Sequence, residues 1–166
     1  MKAFFLSCLL VVAGAAFAQE DTLAPYKRYP IVPAFQLLLS DSTTMYKKAD
    51  LPKNKPTLIM LFSPECSHCK HTAEEMTRLK DSLQDIQIIM ATMYPLWEMN
   101  AFAQRHGLNE WKNVVFGKDI YYILPSFYQI HNLPYMALYD KKGNLIAAEE
   151  GSLPIPKVLE LFRNSK

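Results

Sequence analysis

The chain has 166 residues, 50% of them apolar, 12% aromatic and 20% charged, with a formal net charge of +2. That length suits one domain, and the near balance of 18 basic against 16 acidic residues lacks the clustered positive charge that nucleic acid or an anionic membrane surface demands of a partner. Five glycines and eleven prolines are too few for a low-complexity chain, and three cysteines cannot make a disulfide-stapled miniprotein.

The first eighteen residues read as a targeting segment. Lys2 supplies a positive start, Ala3 to Phe17 is almost wholly apolar, and Ala16-Phe17-Ala18 precedes the polar Gln19-Glu20-Asp21. This is the anatomy of a secretory signal peptide over 1–18, cleaved after Ala18. The run falls short of the roughly 20 residues that span a bilayer. Cys8 lies ahead of most of the apolar run rather than behind it, which argues against a lipidated cysteine. Loss of Lys2 takes the net charge from +2 to +1. The expected mature product is periplasmic or otherwise extracytoplasmic, with no stable membrane span.

Residues 19–34 contain Pro25, Pro30 and Pro33 and predict an extended lead-in rather than a helix. The remaining 35–166 reads as a single domain. Phe35 to Leu39 predicts a first strand, followed by polar turn residues from Ser40 to Thr44. Thr57 to Phe62 is a continuous apolar run, the pattern of a strand covered on both faces. Cys69, Ala73, Met76, Leu79 and Leu83 then recur at three- and four-residue steps, which predicts an amphipathic helix. Ile86 to Thr92 is a second buried strand, and Pro95 opens another helix that Gly107 stops. Asn113 to Phe116 is a short third run. Ile120 to Ile130 is aromatic-rich and interrupted by Pro125, so its helical content stays open. Tyr135 to Tyr139 and Leu145 to Ala148 predict an antiparallel pair joined by the turn Asp140 to Asn144. Ile155, Val158, Leu159 and Phe162 form a final amphipathic helix. Strands alternating with helices and closing on a hairpin imply an α/β fold with a central mixed sheet and helices on both faces.

Without Cys8, two cysteines remain, in Cys66-Ser67-His68-Cys69. A bridge across so short a loop contributes roughly 2 kcal/mol on the chain-entropy argument, against about 4.7 kcal/mol for a 100-residue loop. The pair is a poor staple, and in an oxidising compartment it reads better as a bond that opens and closes. Cys66 at the first turn of a helix faces unpaired backbone N–H groups and the positive dipole end, which favour a thiolate there. His68 adds a further donor or positive charge. Cys69, one turn on and on the apolar face, is expected to be shielded and to resolve a mixed disulfide by attacking Cys66.

Leu58 to Phe62 leading into Ser63-Pro64-Glu65-Cys66-Ser67-His68-Cys69, together with Leu133-Pro134-Tyr135 and the hairpin at Asp140 to Asn144, resembles the thioredoxin fold. More narrowly it resembles the exported TlpA/ResA-like thiol-disulfide oxidoreductases, over roughly residues 35–163. The stretch from Pro95 to Phe116 sits where that subgroup carries an insertion. The resemblance implies a thioredoxin-like three-layer sandwich and a redox pair Cys66-Cys69, joined when oxidised. It implies Cys66, Cys69, His68 and Pro134 as catalytic residues, with Leu133–Pro134 in the cis form. Leu133, Pro134, Ser67 and Trp97 would meet the substrate, the Leu133 backbone pairing with an extended client. The Thr92 to Trp97 loop would wall the groove. Partners would be exported client proteins with disulfides or thiols and an upstream thiol-disulfide electron donor. No cofactor is required, because both electrons reside on sulfur.

Two departures from the family stand out. Glu65 occupies the place where members commonly carry Trp, and Met60 and Thr72 occupy the two positions that supply a proton-accepting carboxylate in relatives. His68 matches the third position of the strongly oxidising DsbA-type Cys-Pro-His-Cys, but Ser67 replaces its proline. The expected potential therefore lies above thioredoxin's roughly −270 mV and below DsbA's roughly −120 mV.

Blander readings compete. Half of a zinc site completed by His68, His71, His106 or His131 lacks the usual ligand spacing. His71 reads as solvated, His106 as a helix C-terminal residue that suits the dipole, and His131 as core or rim packing. Trp97, Trp111, Tyr121, Tyr122, Phe127 and Tyr128 are more economically read as packing than as a ligand surface. Lys47, Lys48, Lys53 and Lys55 read as a solvated loop, and Pro134 could start an edge strand. A peroxiredoxin-like peroxidase would need a Thr shortly before Cys66, where Ser63 and Pro64 stand. A redox-inert binding or assembly module has no need of both cysteines at this spacing.

Overall fold

The computed structural model describes residues 23–165, so the signal-peptide segment lies outside the described residues. The elements in order are α1 (Pro25–Arg28), β1 (Gln36–Leu38), β2 (Met45–Lys47), β3 (Thr57–Leu61), α2 (Ser67–Arg78), β4 (Gln87–Thr92), α3 (Leu96–Arg105), β5 (Val114–Lys118), α4 (Ile123–Tyr128), β6 (Tyr135–Tyr139), β7 (Leu145–Glu150) and α5 (Ile155–Asn164). Seven strands form one sheet in the order β2-β1-β5-β4-β3-β6-β7. β3, β4 and β5 run parallel, while β6 pairs antiparallel with β3 and β7, and β1 antiparallel with β5 and β2.

The apolar runs become the centre of this sheet because only strands covered on both faces can bury every residue. β3, β4 and β6 are buried throughout. Their side chains alternate between two cores. Leu58, Met60 and Phe62 join Cys69, Met76 and Phe102 and the α5 residues Val158 and Phe162 on one face. Ile59 and Leu61 face Phe35, Leu37, Leu124 and Tyr128 on the other. The three-layer arrangement with helices on both faces is the one expected. β5 approaches β1 closely at Gly117, where an added Cβ would lie 2.5 Å from that of Leu37, so only glycine fits.

The lead-in departs from expectation. Pro25 stands at the first turn of a one-turn helix, a position where its missing N–H costs nothing and its fixed φ suits the helix. Tyr26 packs on Tyr128 and Tyr135, with ring centroids 5.9 and 6.4 Å apart. Ile31 bridges to Asn144 and Val32 is buried, so the segment is part of the fold. The helix after the cysteine pair ends at Arg78, and Leu83 closes a separate 3-10 turn at Lys80–Leu83. β2 has no counterpart in the sequence reading. The proline-interrupted aromatic stretch contains α4, with residues of left-handed backbone, Tyr122 and Gln129, at its two ends. Lys48 is not simply solvated, since its Nζ donates to the Val32 carbonyl at 2.6 Å. Among the described residues no helix is long and apolar enough to cross a membrane.

Candidate functional site

The parallel β3 and β4 deliver their carboxyl ends to the same edge of the sheet, and the chain after β3 turns there into α2. Phe62 N–H still bonds the Ala91 carbonyl at 3.0 Å, and Cys66 N–H closes the turn on the Ser63 carbonyl at 3.2 Å. Glu65 N–H is held by Ser63 Oγ at 3.3 Å. Cys66 is the N-cap of α2, with extended backbone, and its Sγ accepts the Cys69 N–H at 3.3 Å. A sulfur here takes the place of the usual Ser or Asp cap and satisfies one of the helix's orphan amides. The same amide favours negative charge on the sulfur.

The second half of the site comes from 67 residues further along. Leu133–Pro134 is a cis peptide bond, and the Cys66 thiol donates to the Leu133 carbonyl at 3.5 Å. Pro134 enters β6, which lies between β3 and β7, so it does not begin an edge strand. Both cysteines are free thiols, and they differ sharply in access. Cys66 is half-buried and Cys69 fully buried in the α2 core. Burial, reinforced by the hydrogen bond with Cys66, pushes the Cys69 thiol far above the ordinary range. A buried acid resists ionisation because the charged form loses its hydration.

The remaining expected site residues scatter. Ser67 and His68 are exposed on the first turn of α2. Thr72 Oγ1 is engaged with the His68 carbonyl at 3.0 Å, and Met60 is fully buried. His71 and Glu65 are exposed. Trp97, the second residue of α3, is 72% exposed and lines a groove of about 330 Å³ with Pro64, Glu65, Lys70, Phe102 and Arg105. Packing is therefore the wrong reading for Trp97, as for the exposed Tyr121 and Tyr122, and the right one for buried Trp111 and Tyr128. His106 caps α3 with its ring 4.5 Å from that of Phe102, and burial pulls its pKa down, so packing rather than a dipole-stabilised charge governs it. His131 is 80% exposed rather than packed, because the Glu150 carboxylate holds it at the rim. No group of three or more His, Cys, Asp or Glu side chains suited to a metal is gathered among the described residues.

Asp119 escaped the sequence reading. It is fully buried, and its carboxylate accepts the N–H of Ile123 at 3.2 Å and of Leu124 at 2.8 Å. Its own N–H bonds the Thr92 carbonyl at 2.8 Å, tying α4 to the end of β4. The one signal for it was an acidic residue four positions before a helical stretch.

Residues 45–166 match the family model described as a thioredoxin-like domain. No curated protein matches the chain by sequence. Among solved structures, a secreted Mycobacterium tuberculosis disulfide oxidoreductase homologous to E. coli DsbE is 13% identical with a TM-score of 0.65, covering 79% of this chain and 96% of that one. MTB DsbF, solved in mixed oxidised and reduced forms, is 16% identical with a TM-score of 0.68 over 81% and 99%. An exposed lipoprotein thioredoxin of Streptococcus pneumoniae is 19% identical with a TM-score of 0.57 over 77% and 98%. At such identities the likeness is one of fold.

Proposed function

The chain belongs to the thioredoxin-like domain family, and from that premise we propose that it is an extracytoplasmic thiol-disulfide oxidoreductase acting on disulfides of exported client proteins. The observation that carries the reading is the setting of Cys66 Sγ, between the Cys69 N–H at 3.3 Å and the Leu133 carbonyl at 3.5 Å, with Cys69 buried behind it. One sulfur is reachable and the other is not, which is the division of labour that two-step exchange needs.

Cys66 as thiolate attacks a client disulfide. A bond forms between Cys66 and one client sulfur, and the other client sulfur leaves and takes up a proton. Cys66 then carries no S–H, so the Leu133 carbonyl is released to accept a backbone N–H of the client, as an added strand would offer it. Cys69 gives up its proton, attacks Cys66 Sγ and expels the client as a thiol. The client gains two electrons and the Cys66–Cys69 disulfide forms. An upstream dithiol restores the reduced pair. The raised Cys69 pKa, with no carboxylate at Met60 or Thr72, makes this second step the slow one. Pro134 holds the loop against the sulfur, Ser67 and His68 border the approach, and Trp97 offers an aromatic face to the client. Export rests on the 1–18 signal segment, and the secreted M. tuberculosis neighbour supports that placement.

The test is insulin reduction by wild type and Cys66→Ser, alongside client capture with Cys69→Ser. Wild type should reduce insulin, Cys66→Ser should not, and Cys69→Ser should retain clients as mixed disulfides on Cys66. Equal activity of wild type and Cys66→Ser would refute the reading. Equilibration with glutathione should place the potential between roughly −270 and −120 mV.

A further inference from the structure

We propose that Glu150 is a positioning residue that clasps the loop presenting Leu133, and so sets how readily a client pairs there; the inference rests on the reductase reading above. The loop runs from Gln129, the left-handed end of α4, to Pro134. Its middle has no secondary structure of its own. Glu150 closes β7 and stands opposite Tyr135 in the antiparallel register, which brings its side chain beside the residues entering β6.

Both carboxylate oxygens are used. Oε1 accepts the His131 N–H at 2.6 Å and Oε2 accepts the Asn132 Nδ2 at 3.1 Å, while His131 Nδ1 lies 3.5 Å from Oε1. These bonds, led by that from His131 N–H, hold the carboxyl below its usual range. The adjoining Gly151 N–H bonds the Pro134 carbonyl at 2.8 Å. Residues 150 and 151 thus grip the loop on either side of Leu133, whose own carbonyl is left for Cys66. Charge-assisted bonds to backbone are the strong kind, and a loop already held in its pairing conformation spares the client the entropy of ordering it.

The experiment compares wild type, Glu150→Ala and Glu150→Gln on a peptide disulfide, with Cys66 alkylation of the reduced protein measured in parallel. Glu150→Ala should raise KM about fivefold, with kcat within about twofold of wild type. Its Cys66 alkylation rate should be unchanged. Glu150→Gln keeps a carbonyl oxygen for the His131 N–H and should recover most of the loss. An unchanged KM in Glu150→Ala overturns the clasp. So does a fall in kcat with slowed alkylation, which would mark general damage to the site. A wild-type protein that fails to reduce the peptide at all would sink the reductase reading instead; the clasp then stands or falls on whether amide exchange at His131 and Asn132 quickens in Glu150→Ala.

Discussion

The difference between the two sulfurs can be measured directly on Cys69 in a Cys66→Ala variant, where it is the sole thiol of the mature chain. An unperturbed thiol with a pKa near 8.5 is about 3% thiolate at pH 7. Burial is the leading cause of the upward shift at Cys69, and it survives the loss of Cys66. Raising the thiol even to about 10.5 cuts the thiolate at pH 7 to about 0.03%, a hundredfold loss before any hindrance from its full burial. Iodoacetamide labelling followed by mass spectrometry should therefore run at least about a hundred times slower in the native variant than in denaturant at pH 7. The native rate should keep climbing tenfold per pH unit through pH 9.5, where the unfolded thiol has levelled off. A native plateau near pH 8.5, or native and unfolded rates within tenfold at pH 7, would refute the reasoning.

Burial of the same thiol governs stability in base. The folded reduced protein keeps the Cys69 proton while the unfolded chain releases it, so the stability is whole below about pH 8.5 and declines as pH rises towards the folded value. Urea midpoints of the reduced protein should fall between pH 8.5 and 9.5, and Cys69→Ala should flatten the trend. Asp119→Ala leaves two helix-start amides without their acceptor in a buried place, and should cost about 3 kcal/mol, or roughly 6–12 °C in Tm. A loss below about 1 kcal/mol in denaturant titration would show that α4 does not depend on it. Trp97→Ala removes the aromatic face of the groove beside Glu65 and should raise KM for an aromatic peptide disulfide about fivefold while leaving Tm within about 2 °C. An unchanged KM would return Trp97 to the ordinary surface.

Some of this was legible in the sequence because the relevant signals are local. Continuous apolar runs at 57–62, 86–92 and 135–139 can be satisfied in few ways, and they became the three strands buried throughout. The cysteine pair at a helix start and the proline ahead of β6 are likewise readable, being fixed by spacing within one element. What escaped depends on partners distant in the chain or on elements too short to show a period. β2 is three residues long and carries no repeat. Three prolines in the lead-in masked a single helical turn, because Pro25 sits where a helix tolerates it. His131 looks like a packing residue until β7 brings Glu150 across 19 positions to hold it at the surface.

The site itself divides along the same line. Everything about Cys66 and Cys69 that follows from helix geometry, including the amide directed at one sulfur and the burial of the other, is a property of twelve contiguous residues of α2 and its cap. The groups that decide what those sulfurs meet lie elsewhere: the Leu133 carbonyl after α4, the Asp119 carboxylate that fixes where α4 starts, the Glu150 carboxylate at the end of β7, and Trp97 on α3. Each is polar or aromatic, stands outside a local motif, and becomes meaningful only when the sheet order places β6 beside β3. Reactivity is thus encoded locally and selectivity through tertiary contacts. Substitutions at Glu150 and Trp97 should accordingly change which clients are bound while the two sulfurs keep their own chemistry.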